Sequence, residues 1–189
     1  MPVSQSKTHF FNMMKHFFWL LAAAGIYSSC KDPSPVPMFP DNAWGEASAL
    51  KNGQYWVANP ICFYDLIDSQ KMSIQLGSSM DSYALTEYLS FSGIPLDTGS
   101  YELIPLDITQ NEKGMATLSY LNYDVGKGAC DLLGLDSSNY LVVASYDTLS
   151  REIKGRFNLT FIVRKPPYPG APDTIRFTDG RFHGKLFKK

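Results

Sequence analysis

The stretch Glu152–Arg164, EIKGRFNLTFIVR, decides the fold. Ile153, Gly155, Phe157, Leu159, Phe161 and Val163 alternate with Lys154, Arg156, Asn158, Thr160 and Arg164, and Ile162 is out of step. In extended chain successive side chains point to opposite faces, so this pattern reads as a strand with one buried and one wet face. A helix would scatter the same apolar residues around its circumference. Upstream, Asn139–Tyr146 (NYLVVASY) is rich in Val, Leu and Tyr. The intervening Asp147–Arg151 is short enough to join the two as an antiparallel hairpin.

Further strands are expected outward from this hairpin. Asn52-Gly53 is a strong two-residue turn signal, so Ala47–Lys51 should pair with Gln54–Tyr64. Lys71–Leu76, Tyr83–Ser92, Ser100–Ile104 and Met115–Tyr123 alternate or follow turn residues. Thr174–Thr178 and Arg181–Leu186 flank Asp179-Gly180, which reads as another tight turn. No amphipathic helix of ordinary length interrupts the series after the first 29 residues. The expectation is an all-β domain over residues 43–189, a single antiparallel β-sandwich, with a lipocalin-like meander β-barrel as the alternative.

Composition agrees. Aromatic residues make up 14% of the 189-residue chain, and 14 Gly and 12 Pro suit a fold rich in turns. The net charge of −1 gives no basic excess for nucleic acid.

Residues 1–29 differ in character. Their charged side chains are Lys7 and Lys15, ahead of an uncharged run from Phe17 to Tyr27. That run is shorter than the roughly 20 residues a membrane span needs, and it has the length of a signal-peptide core. Ser28 and Ser29 then lead into Cys30. The segment resembles a bacterial lipoprotein signal, which implies acylation, palmitate among the chains, at Cys30 and removal of residues 1–29. Acyl chains anchor by burying CH₂ groups at about 0.8 kcal/mol each. Pro33, Pro35, Pro37 and Pro40 would stiffen residues 30–42 into a tether.

Lys31-Asp32 looks like the export tag of Bacteroidota surface lipoproteins. Three stretches, YLVVASYD, REIKGRFNLTF with Gly155, and IRFTDGRFHGKL with Gly180, resemble a pattern in Bacteroidota lipoproteins of unknown function, as does NGQYWVA at 52–58. The resemblance implies an address, lipid-anchored at the outer membrane on its surface or periplasmic face, and carries no activity. Thr148 and Thr174, each between an Asp and an aliphatic residue, resemble the O-glycosylation sites of exported Bacteroidota proteins.

Cys62 and Cys130 form an even pair for an oxidising compartment, so a disulfide is expected, worth roughly 4 kcal/mol in the chain-entropy treatment. The same positions also suit two buried thiols.

The search for chemistry returns little. His183 is the one histidine after the signal, which argues against a zinc site, and no metal or cofactor is expected. Asp124 and Asp131 around Gly126 and Gly128 could make a calcium loop, though turn residues explain them. A serine triad would have to use His183, which sits on a strand that reads as exposed and basic. Glu87, Glu102, Asp107 and Glu112 are the carboxylates for a hydrolase, and sequence alone brings no two of them together. Glu87 falls on the apolar face of its strand; a bulge that turns it outward is the simpler explanation.

Trp44, Tyr55, Trp56, Tyr64, Tyr88, Tyr120, Tyr123 and Tyr168 could present flat faces to sugar rings or apolar ligands, though most such residues of an all-β domain are core; Trp44, Trp56 and Tyr168 are the candidates chosen, Tyr168 within the four-proline loop Arg164–Asp173. That loop also suits the blocking of a sheet edge. The function expected is a non-enzymatic, lipid-anchored envelope module that binds a glycan or another envelope protein. The alternatives are a small barrel that carries an apolar ligand and a carboxylate hydrolase.

Overall fold

The computed structural model describes residues 44–65, 68–80, 85–106, 113–134 and 138–187. Within them the chain is all-β. The strands are β1 (Glu46–Lys51), β2 (Gln54–Tyr64), β3 (Lys71–Met80), β4 (Leu85–Pro95), β5 (Gly99–Ile104), β6 (Gly114–Asn122), β7 (Val125–Leu132), β8 (Tyr140–Tyr146), β9 (Glu152–Lys165) and β10 (Thr174–Phe187). The expected signal segment, Cys30 and the tether lie outside the described residues, as do Tyr83, Asp107 and Glu112.

All ten strands belong to one sheet. Neighbours run β1, β2, β3, β4, β6, β7, β9, β10, and β10 pairs with β1 again. β5 and β8 lie between β6 and β9 on a second path. Most pairings are antiparallel, as expected. Two short ones are parallel: Leu186↔Cys62 between β10 and β2, and Leu103↔Gly114 between β5 and β6.

Local chemistry explains the two best-defined hairpins. Asn52 (φ 50°) and Gly53 (φ 79°) both adopt the left-handed conformation that a two-residue β-turn needs, and Lys51↔Gln54 closes it. Asp147 Oδ1 accepts from Leu149 N at 2.8 Å and Ser150 N at 3.2 Å, which forms the turn between β8 and β9.

Asp179-Gly180 is not a turn. β10 runs through it as one strand, and the register against β9 slips between Phe177 and Gly180. Asp179 (φ 53°) absorbs the extra residue as a bulge, held by Asn158 Oδ1 accepting from its N–H at 3.0 Å. Gly180 faces Phe157 and Gly155 faces Phe182 across the same pair of strands. A Cβ on either glycine would enter the facing ring. The two glycines therefore let two aromatic rings lie flat over the backbone.

β7 is a strand that the sequence hid among turn residues. Its Asp131 pairs with Arg164 Nε at 2.8 Å on the outer surface. Among the described residues no group of His, Cys, Asp and Glu could hold a metal ion.

The buried faces of the strands meet in one cluster. Phe91, Phe157, Phe161, Phe177, Ile74, Leu76 and Leu118 are all essentially inaccessible. Phe157 stacks tilted between Phe91 (5.5 Å) and Phe177 (6.4 Å), and Phe177 meets Trp56 edge-on at 5.1 Å. Each large core side chain contributes about 1.5–3 kcal/mol on burial. Cys62 and Cys130 are both free and buried, which corrects the expected disulfide. Cys62 sits on β2 among β1, β3 and β10, and Cys130 on β7 between β6 and β9, so no pairing brings them side by side. Burial raises the Cys62 thiol to about 12 and the Cys130 thiol to about 11.

Candidate functional site

One end of the buried interior is polar. Four inward positions form a row across neighbouring strands: Ser78 on β3, Glu87 on β4, Tyr120 on β6 and Gly128 on β7. Gly128 leaves room for the Tyr120 ring on one side and Pro167 on the other. From β1, the inward run Ala47, Ala49, Lys51 ends in a lysine whose Nζ forms an ion pair with Glu87 Oε2. The same Nζ lies 3.4 Å from the Tyr120 hydroxyl and 5.5 Å from the centre of its ring. Glu87 is 0% exposed. The expected outward bulge does not occur: β4 pairs in unbroken register from Thr86 to Phe91 with both β6 and β3. A buried carboxylate needs a cation, and Lys51 supplies it from the facing side. Burial, and after it the negative charge of Glu87, push the Tyr120 phenol well above its ordinary value.

Two side-chain atoms at this end lack partners among the described residues: Glu87 Oε1 and Trp56 Nε1 are buried and make no hydrogen bond there. Each such group costs about 1–3 kcal/mol when left unsatisfied. Both residues line the same cleft of about 290 Å³, with Lys51, Gln54, Tyr55, Ser78 and Met80. One orphan is an acceptor and the other a donor, and both lie just behind the wall of the cleft with almost no accessible surface of their own.

Of the three chosen aromatics Trp56 alone belongs to this cleft, beside Tyr55, and it does so from inside: it is 7% exposed and no surface platform. Trp44 lies elsewhere on the surface. The edge of its ring meets His183 at 5.0 Å, and Lys185 Nζ sits 5.6 Å above it. His183 is half-buried and bonded to Glu152 at 3.1 Å, which ties up the one histidine a triad would need. Tyr168 is half-buried in the loop between β9 and β10, close enough to Tyr120 for their electrostatics to couple. Thr148 and Thr174 are exposed, at the turn before β9 and the first residue of β10. Glu102 is exposed on β5 and lines no part of the cleft.

Sequence reasoning missed Lys51, and it named Tyr120 only as one aromatic among several. The signal was present for Lys51, whose spacing from Ala47 and Ala49 puts it on the same inward face. Comparison with protein-family models, with curated proteins and with solved structures found no match to this chain.

Proposed function

We propose that the protein is a non-catalytic, lipid-anchored binding module of the bacterial outer membrane that holds a glycan in the cleft between Lys51–Glu87 and Trp56. The address follows from the lipoprotein-like signal and Cys30. The observation that carries the ligand class is the pair of orphans: Glu87 Oε1 asks for a donor and Trp56 Nε1 for an acceptor. Neighbouring hydroxyls of a sugar supply both at once. The ion pair leaves the cleft without net charge, which favours a neutral ligand over an anion.

The other functions have less support. A two-carboxylate hydrolase needs a second acid across the cleft, and among the described residues the lining holds Glu87 alone, already paired with Lys51. An apolar carrier needs interior space that the rings of Phe91, Phe157, Phe161 and Phe177 occupy. A sheet whose pairings return to their first strand favours a closed, filled barrel over two facing sheets.

A glycan array probed with wild-type protein and Glu87→Gln tests this function. A charge-assisted hydrogen bond contributes about 1.5–3 kcal/mol, so the variant should lose roughly 10- to 100-fold in affinity for the glycans bound. Equal binding by both proteins would remove Glu87 from the site.

A further inference from the structure

We propose that the cleft continues along a seam in the sheet and takes an extended saccharide chain, with its terminal unit over Glu87 and Trp56 and the next unit against Tyr55. This deepens the glycan reading and rests on it. The starting observation is a break in hydrogen bonding. β2 and β3 pair from Tyr64↔Met72 to Asn59↔Gly77 and no further. Beyond that point β2 continues to Gln54 paired with β1, and β3 continues to Met80 paired with β4. The two strands part and leave a seam in the sheet.

The cause of the split is local. The β1–β2 turn is tied to β10: Asn52 N donates to Arg176 O at 2.8 Å, and Asn52 Oδ1 accepts from Arg176 N at 2.8 Å. β3 instead follows β4 as far as Met80↔Leu85. Each strand is held by its other neighbour, and the gap opens between them.

Two adjoining grooves open on the seam. One of about 290 Å³ lies over Glu87 and Trp56, and the other of about 370 Å³ reaches Ser48 and Asn59. Tyr55, Val57, Ser78 and Ser79 line both, so the two are continuous. Each is near the lower end of the range for small-molecule sites, about 300–1,000 Å³, and fits one small unit better than a large ligand. Tyr55 is 78% exposed at the junction and offers a flat apolar face with a polar tip. Polar side chains on both sides of one exposed aromatic match a chain of hydroxyl-bearing rings.

An extended peptide is the competing occupant, since the parted strands leave backbone edges. A peptide strand inserted between the two edges is disfavoured because, although β2 offers Gln54–Ala58, β3 offers only Ser78–Met80 past their last pair, short of the five or six residues of a typical strand.

The test is calorimetric titration of the full chain with cello-, xylo-, manno- and chito-oligosaccharides, from the monosaccharide to the tetrasaccharide, and in parallel with a library of extended heptapeptides. In a series that binds, the disaccharide should bind about fivefold tighter than the monosaccharide, the order that one aromatic contact contributes. Tyr55→Ala should bring that ratio to about one, while Glu87→Gln should weaken both lengths and keep the ratio. A monosaccharide that binds as tightly as its disaccharide, or a ratio untouched by Tyr55→Ala, overturns the extended chain and leaves a single-unit site standing. Binding of none of the saccharides, or of peptides in their place, overturns the glycan reading along with it.

Discussion

Replacing Lys51 by Met removes the cation from a carboxylate that has no solvent to fall back on. Glu87 is 0% exposed and the Lys51 side chain 16%, so the pair belongs to the interior. Removing one partner of such a pair costs about 3–5 kcal/mol, because the other charge stays buried and uncompensated. The slight exposure of Lys51 argues for the lower end, about 3 kcal/mol. For a chain of 189 residues each kcal/mol moves Tm by about 2–4 °C, so Lys51→Met should melt roughly 6–12 °C below wild type.

The double variant Lys51→Met, Glu87→Leu removes both charges and supplies apolar volume. It should return to within about 1 kcal/mol of wild type, since a buried pair replaced as a whole is often neutral. Urea unfolding followed by far-ultraviolet circular dichroism measures all three proteins, with an unchanged slope as the check that the folded state is the same. A Lys51→Met protein within about 1 kcal/mol of wild type, or a double variant as unstable as the single, would refute the buried ion pair.

Three more outcomes follow from the packing. Gly180→Ala pushes a Cβ into the Phe157 ring and should cost about 1–3 kcal/mol in the same unfolding assay, whereas a surface turn glycine would tolerate the change far better. The thiols of Cys62 and Cys130, raised by burial to about 12 and about 11, should ignore a thiol reagent at pH 8 in the native protein and react in denaturant; no new thiol in denaturant would mean a disulfide after all. The Asp147 carboxyl is held below its ordinary value by the Leu149 N–H and the Ser150 contacts. Its folded value is depressed, so its contribution is present above the ordinary 3.8 and is lost as pH falls through the lower native value. The stability advantage of wild type over Asp147→Asn should therefore shrink in that acid window, and an advantage independent of pH there contradicts the turn charge.

The strands that the sequence makes legible carry either a long period-two alternation or a strong turn signal. The hairpin around Asp147 is an example of the first, where one glycine among a dozen residues does not hide the pattern, and Gln54–Tyr64, whose turn Asn52-Gly53 closes, of the second. The misreadings have physical reasons. A tight turn and a bulge ask for the same left-handed backbone, so Asp179-Gly180 fits both; what decides is Phe157, which needs a residue without a side chain opposite it on a continuous strand. β7 was hidden because Gly126, Lys127 and Gly128 interrupt its alternation, and Gly128 is there to clear the Tyr120 ring and Pro167.

Glu87 was visible as a carboxylate on an apolar face. Its partner was not, because Lys51 lies 36 positions away and reaches it across the interior from another strand. The disulfide failed for the same reason: an even cysteine count says nothing about which strands will be neighbours. Trp56 was chosen as an aromatic surface, and the inward phase it shares with Ala58 puts its indole inside, where the N–H and not the ring face becomes the functional group.

The most direct measurement is a ¹⁵N–¹H spectrum of the indole N–H groups during titration with an oligosaccharide that the protein binds. Trp56 Nε1–H should move as its missing acceptor arrives, while the Trp44 indole, beside His183, stays in place. A shift of Trp44 with Trp56 unmoved would put the ligand on the outer surface and contradict the cleft.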